Sequence, residues 1–418
     1  MSFSSLGLAP SLIRAVSDSG YLAPSPIQTA AIPAILRGND VLASAQTGSG
    51  KTAAFALPIL QSLLDGYSGP RQARALVLAP TRELAAQVGA AIGHYARFMP
   101  APVKVAILCG GVSLNPQMMG LRGGADIVVA TPGRLLDLIE HNALTLSAIK
   151  ALVLDEADRL LDLGFADEIG RILALLPKKR QTLFFSATFP ASVQALADAM
   201  LVDPVRIDIA SAPADQPDIV QRAIVVDVPR RTQLLKHLML ENRWSRVLVF
   251  VATKYAAMHV ADKLQRNGIN AGALHGDASQ GARSGVLADF KASRLQVLVA
   301  TDVAARGIDI MQLPVVVNYD LPRSAVDYTH RIGRTGRAGE SGVAISFISA
   351  ATEAHFRLIE KRQNLVLARE VIAGFEPADV LVLVLAPQPA PGVTDTVNGG
   401  VKGRRKSKKD KLREAQAQ

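Results

Sequence analysis

The sequence has a single cysteine, Cys109, among its 418 residues. No internal disulfide framework can form from it, and the chemistry has to work in a reducing compartment. A lone thiol of this kind reads as a small buried apolar residue. Nowhere is there a run of about 18 uncharged apolar residues, and the N-terminal MSFSSLGLAPSLIRAV has no basic segment leading into a long apolar core. The sequence therefore reads as a soluble cytoplasmic protein without a membrane partner. Net charge is also scarce outside one segment. The chain carries +10, but residues 402–418 hold eight Lys/Arg against Asp410 and Glu414, a local +6 that leaves +4 for everything before it. The folded part is only mildly basic, and the basic segment reads either as a polyanion-binding appendage or as a solvating end.

What is present in quantity is apolar sequence, 49% of the residues, enough at this length for two cores of ordinary size. Short runs that are apolar at every position alternate with helical patterns. The first set comprises RALVLAP (74–80), ADIVVATP (125–132), KALVLDE (150–156) and QTLFFSAT (181–188). A second comprises RVLVFVAT (246–253), LQVLVATD (295–302), PVVVNYD (314–320) and GVAISFIS (342–349). Runs of this kind with helices between them are strands buried on both faces of a parallel sheet. Between the sets, Pro/Ala/Asp-rich sequence without periodicity marks a linker at 209–218. The fold class expected is α/β, two domains joined by a short hinge. After Pro377 come the apolar run Val380–Leu385, a Pro-rich stretch and the basic segment. This part is expected to be extended or disordered, with the apolar run either an edge strand or a docking segment.

AQTGSGKT (45–52) follows the apolar DVLAS and precedes the helical AAFALPIL. It fits a P-loop except that Ala45 stands at the first glycine, and the strand–loop–helix context supports the match. Gly48 and Gly50 let backbone N–H groups curl around phosphate oxygens at a helix N-terminus, where the dipole favours anions. Lys51 is placed to reach the β- and γ-phosphates, and Thr52 to offer a hydroxyl to Mg2+. In an open parallel sheet, ligands bind beyond the carboxyl ends of strands, where Asp155 and Glu156 follow ALVL. There Asp155 would hold Mg2+, while Glu156 would orient and deprotonate the attacking water. Acids also suit a helix N-terminus on electrostatic grounds alone.

Nine short motifs then occur in one order: GYLAPSPIQ (20–28), AQTGSGKT (45–52), PTREL (80–84), TPGR (131–134), DEAD (155–158), SAT (186–188), HGDASQGAR (275–283), ATDVAARGID (300–309) and HRIGRTGR (330–337). In this the sequence resembles the DEAD-box ATP-dependent RNA helicases from about Phe3 to Pro377, and, through FSSLGLAP and REVIAGFEP, their bacterial RhlE-type members. The resemblance implies two tandem RecA-like parallel-sheet domains with a cleft between them, followed by a disordered basic tail. It divides the chain into an adenine-recognition segment (1–34), an ATP-binding domain (35–208), a linker (209–218), a second domain (219–378) and a tail (379–418).

The resemblance also implies a site. Gln28 resembles an adenine reader whose amide offers a donor and an acceptor, with Tyr21 stacking on the base and Phe3 packed nearby; both rings also read as ordinary core aromatics. The phosphate loop is Ala45, Gln46, Thr47, Gly48, Ser49, Gly50, Lys51 and Thr52. Arg334 and Arg337 look like arginine fingers reaching the γ-phosphate from the second domain, with Asp309 near the ribose; a planar, always-charged fork suits that task. Asp158, Ser186, Thr188, His330 and Arg331 resemble the set that couples the ATP site to RNA. The RNA-facing set is Pro80, Thr81, Arg82, Gly110, Gly111, Thr131, Pro132, Gly133 and Arg134, then Gly276, Asp277, Arg283 and Thr301. These groups address phosphate and ribose more than bases, although PTREL and TPGR also read as plain helix starts.

The implied activity is ATP hydrolysis that closes and reopens the cleft and separates RNA strands locally, by a protein expected to be a monomer and to meet ribonucleoprotein or RNA-decay partners through its tail. Two rival readings stay open: an ATP-gated RNA clamp or assembly scaffold with little net unwinding, and a DNA-directed translocase.

Overall fold

The computed structural model describes residues 2–45, 48–64, 70–209, 218–305, 313–336 and 341–378. The expected linker (all but its end residues 209 and 218), Gln46, Thr47, Asp309, Arg337, the apolar run Val380–Leu385 and the basic tail lie outside the described residues.

Among the described residues, fourteen strands form two seven-stranded sheets. The first contains β1 (Val41–Ser44), β2 (Ala75–Leu78), β3 (Val105–Leu108), β4 (Ile127–Ala130), β5 (Ala151–Leu154), β6 (Gln181–Ser186) and β7 (Val205–Asp208). The second contains β8 (Ile219–Val225), β9 (Val247–Val251), β10 (Ala271–Leu274), β11 (Val297–Thr301), β12 (Val315–Asn318), β13 (Gly342–Ile348) and β14 (Arg369–Glu370). Strand orders are β3-β4-β2-β5-β6-β1-β7 and β10-β11-β9-β12-β13-β8-β14. Adding seven to each number of the first order gives the second, so both lobes have one topology. Every strand pair is parallel.

The apolar runs explain this arrangement. The central strands ALVL (75–78), IVVA (127–130), ALVL (151–154), VLVFV (247–251) and VVVN (315–318) are buried at every position. They can be so only because helices cover both faces of each sheet. In the first lobe one core packs Val77, Val129, Val153 and Phe185 under helices that include Lys51–Gln61 and Arg82–Ala96. The opposite face packs Leu76, Val128, Leu152 and Phe184. A right-handed parallel crossover returns each strand in the same direction, so all carboxyl ends of a sheet fall on one edge, and the loops carrying the motifs lie along it.

Candidate nucleotide and nucleic-acid site

Strand order sorts the motifs. Across the carboxyl edge of the first sheet, Gly110 and Gly111 follow β3, Thr131–Arg134 follow β4, Pro80–Arg82 follow β2, Asp155–Asp158 follow β5, Ser186–Thr188 follow β6 and Ala45–Thr52 follow β1. The P-loop thus sits at one end and the Thr/Gly/Arg segments at the other, with DEAD and SAT between them. A chain that visits these motifs in the order P-loop, PTREL, GG, TPGR, DEAD and SAT is rearranged by the fold into one gradient.

At the nucleotide end, β1 runs into Ala45, whose N–H donates to the Ser186 carbonyl at 3.1 Å. The helix Lys51–Gln61 begins at Gly50, which is left-handed at φ 93°. A Cβ there would press on the Gln28 side chain, so both the backbone conformation and the space require glycine. Gln28 is buried; its Oε1 accepts from the Ser25 N–H at 2.9 Å and its Nε2 donates to the Gly50 carbonyl at 3.2 Å. Ser25 Oγ donates to the Ser49 carbonyl at 2.8 Å. The GYLAPSPIQ segment therefore props the P-loop from outside. Each polar end of the Gln28 amide has capacity for one more hydrogen bond. Ser25 was not legible as part of this prop; its only sequence signal is a capping-box position three residues before Gln28. Tyr21 is 41% exposed, Phe3 is buried, and their rings are 6.4 Å apart.

Lys51 is buried and its Nζ meets no hydrogen-bond partner; the same holds for Asp155 Oδ1 and Ser49 Oγ. Burying an unpartnered ammonium and an unpartnered carboxylate oxygen is costly, and the three atoms mark where a phosphate and its cation would complete the site. Burial pushes the Asp155 carboxyl up to about 6, with Lys51 opposing. Among the described residues, no group of three or more His, Cys, Asp or Glu is arranged to hold a metal ion. The donor set suits a cation shared with phosphate oxygens and water rather than an all-protein cage.

Glu156 is left-handed at φ 51°, ψ 54°, an uncommon backbone for a non-glycine residue, and it caps the helix Ala157–Asp162. Burial alone would raise its pKa; Arg159, then Lys51 and Arg334, outweigh that and hold the carboxyl below its ordinary value. Asp158 faces the other way. Its Oδ2 accepts both the Thr188 N–H at 3.0 Å and the Thr188 hydroxyl at 2.8 Å. Its own N–H donates to Ser186 Oγ at 3.3 Å, and Ser186 Oγ donates to the Thr188 carbonyl at 2.7 Å.

The second lobe brings His330, Arg331 and Arg334 from the helix Ala325–Ile332 and the turn after it. Arg331 is buried and doubly bonded to Asp302 at 2.6 and 2.7 Å, with further bonds to Asn318 and to the Asp320 carbonyl. It braces its own lobe. A narrow cleft between the lobes is lined by Arg159 of the first and by Phe250, Asp302, Asp327, His330 and Arg334 of the second. Burial, then Arg159, push His330 down to about 4, so the imidazole is neutral there.

PTREL and TPGR do start helices. Thr81 caps Arg82–Ala96 by accepting the Leu84 N–H at 3.2 Å, and Thr131 precedes Pro132–Glu140. The Arg82 guanidinium lies where a Cβ on Gly111 would be, and that glycine is left-handed at φ 75°. Arg134 is buried, with Nη2 donating to the Val112 carbonyl at 2.9 Å, Nε 3.4 Å from Asp137 Oδ2 in an ion pair, and Nη1 without a hydrogen-bond partner. In the second lobe Asp277 is exposed and paired with Lys254, while Gly276 and Thr301 lie at the carboxyl ends of β10 and β11. Arg283 is buried; its Nη2 meets Glu83 Oε1 at 2.6 Å, with both side chains under a tenth exposed. Glu83, inside PTREL, is a partner that sequence reasoning missed, because nothing local links residues 200 positions apart.

Two parallel α/β lobes of one topology, a P-loop propped by a buried glutamine, and acids facing arginines across a cleft define a two-lobed RecA-like protein with a candidate phosphate-binding site. Residues 25–196 match the DEAD/DEAH box helicase family, and residues 230–339 match the helicase conserved C-terminal domain. The chain belongs to the DEAD/DEAH box helicase family. It is 43% identical over 368 residues to ATP-dependent RNA helicase DeaD of Buchnera aphidicola subsp. Baizongia pistaciae, covering 88% of this chain and 60% of that protein. It is 43% identical over 365 residues to the DeaD protein of Escherichia coli K12, covering 87% and 57%. The chain thus spans about 60% of the length of these relatives. Over 353 residues it is 45% identical to ATP-dependent rRNA helicase rrp3 of Sclerotinia sclerotiorum, covering 83% of this chain and 72% of that one. Among solved structures, S. cerevisiae Dbp5 bound to RNA and ADP BeF3 superposes with a TM-score of 0.77 at 33% identity, covering 88% of this chain and 95% of that chain.

Proposed function

We propose that this chain is an RNA-stimulated ATPase that uses ATP hydrolysis to separate or remodel short RNA duplexes and RNA–protein complexes. The observation that carries the reading is the pair of buried, unpartnered groups, Lys51 Nζ and Asp155 Oδ1, beside a Glu156 held ionised by residues of both lobes. In this reading Lys51 and the P-loop amides bind the phosphates, and Gln28 and Tyr21 bind the adenine with Phe3 behind. Thr52 and Asp155 hold Mg2+, which when bound neutralises charge on the phosphate oxygens. Glu156 orients the attacking water and takes its proton on the carboxylate. Arg334 approaches from the second lobe; by resemblance Arg337 shares its role toward the γ-phosphate and Asp309 serves the ribose. Neither lobe holds a complete site.

RNA lies across the Thr/Gly/Arg end of the edge, through Pro80–Arg82, Gly110, Gly111 and Thr131–Arg134, and reaches Gly276, Asp277 and Thr301 of the second lobe. Arg283 contributes mainly by closing the lobes on Glu83. Asp158, with Ser186 and Thr188, stands between the two ends and links them, with His330 facing it. The solved relative bound to RNA and ADP BeF3 and the relatives named ATP-dependent RNA helicases support this reading. The adenine-recognition segment is assigned to 1–34, the ATP-binding domain to 35–208 and the second domain to 219–378. The basic tail supplies further phosphate contacts or partner docking, in a cytoplasmic monomer.

Glu156→Gln tests the assignment. ATP affinity stays within about threefold of the parent, whereas RNA-stimulated turnover falls at least a hundredfold. Hydrolysis at the parent rate would remove Glu156 as the base.

A further inference from the structure

The residue after DEAD is not accounted for by phosphate, metal or water chemistry, yet it is among the most deeply buried charges of the site. Arg159 is 4% exposed. Its Nη1 donates to Glu156 Oε2 at 2.9 Å, and its backbone N–H donates to Asp158 Oδ1 at 3.0 Å. The guanidinium also forms the first-lobe wall of the cleft whose other walls are Phe250, Asp302, Asp327, His330 and Arg334. Its surroundings there are crowded with positive charge: Arg331 engages both oxygens of Asp302, and Asp327 accepts from Ser324 Oγ at 2.9 Å. A cation in such a place is stable only where an acid answers it, and the acid its guanidinium pairs with is Glu156.

The left-handed backbone of Glu156 sets it apart from the helix that follows, and the ion pair with Arg159 at 2.9 Å holds one of its carboxylate oxygens. The strength of the pair depends on the second lobe. With the lobes together, both side chains are 5 to 6% exposed, so the contact is largely screened from bulk solvent. With the lobes apart, the guanidinium loses the Phe250 and His330 wall and becomes a solvated pair of little orienting power.

We propose that Arg159 is a positioning residue for Glu156, one that fixes the base in its working direction only when the second lobe closes over it. The proposal rests on the reading of Glu156 as the general base. It accounts for how closure can switch hydrolysis on through a residue of the first lobe, in addition to the arginines arriving from the second.

The test is steady-state ATP hydrolysis by the full chain at saturating RNA, combined with single-turnover hydrolysis in a Glu156→Gln background. Arg159→Ala lowers kcat roughly 10- to 100-fold with KM for ATP within about twofold. Arg159→Lys recovers most of the loss, because one nitrogen makes the contact. In the Glu156→Gln background, Arg159→Ala changes the residual rate by less than about twofold, since the group it positions is already gone. If Arg159→Ala lacks the parent's melting transition, Arg159→Gln carries the same comparison. A near-parent kcat in the alanine variant, a full additional loss on top of Glu156→Gln, or a lysine variant as poor as alanine would each overturn the proposal. A parent rate in Glu156→Gln alone would remove the base assignment beneath it, which is a separate failure.

Discussion

Thr188 makes two hydrogen bonds to one oxygen of Asp158, one from its backbone and one from its hydroxyl. Removing the hydroxyl leaves the backbone bond and the buried acid in place, so the fold should survive with a loss of about 1 kcal/mol. On the proposed assignment, what changes is the stiffness of the link between the ATP end and the RNA end of the edge. Thr188→Ala is therefore expected to keep RNA-stimulated ATP hydrolysis within about fivefold while strand separation of a short duplex falls at least tenfold. Equal losses in both assays would place Thr188 in the fold rather than in the coupling. At this scale the motifs were legible. Lys51, Asp155 and Glu156 are read from contiguous motifs, because phosphate and metal chemistry demand fixed residue types at short spacing, whereas Asp158 is assigned by resemblance. Pairings such as Glu83 with Arg283, or Ser25 with the Ser49 carbonyl, leave no local trace.

Among elements, the turn from β1 into the helix Lys51–Gln61 depends most on one residue. Gly50 combines a left-handed φ with a Cβ position occupied by the Gln28 amide. Gly50→Ala must shift Gln28, and with it the prop from GYLAPSPIQ to the P-loop. We expect the melting temperature to fall by only a few degrees, from a strain of about 1 kcal/mol, while KM for ATP rises at least tenfold. A variant with parent KM would show that Gln28 does not shape the nucleotide site. The strands themselves were legible where burial is complete: the eight apolar runs all contain observed strands. The edge strands were not. β3 has its third residue exposed, β7 buries only one of four, and the first half of β8 is partly open, because a strand at or near a sheet edge is covered less completely and its sequence loses the continuous apolar signature. β10, AGAL, is too poor in branched side chains to be noticed.

For the whole molecule, the event the proposed function turns on is closure of the lobes, and His330 is placed to report on it. In the closed arrangement burial and Arg159 push its pKa down to about 4, against attraction from Asp158 and Glu156. Once the lobes part, the imidazole returns toward 6.5. A group that binds its proton more weakly in the closed form favours closure when neutral. Closure is therefore fully supported above about pH 6.5 and weakens as pH falls from there toward 4. RNA affinity in the presence of a non-hydrolysable ATP analogue should drop between pH 7.5 and 5.5, and His330→Gln should show a shallower drop over the same range. Parallel curves for parent and variant would exclude His330 as the titrating group.

The central claim is that the two lobes make one ATPase that RNA completes. The most direct measurement is the rate of ATP hydrolysis by the full chain with no nucleic acid, with a single-stranded RNA and with DNA of the same sequence and length. The rate is expected to rise at least tenfold with RNA and less than twofold with DNA, because the proposed RNA-facing groups address ribose as well as phosphate. Equal stimulation by both, or full activity with neither, would contradict the account.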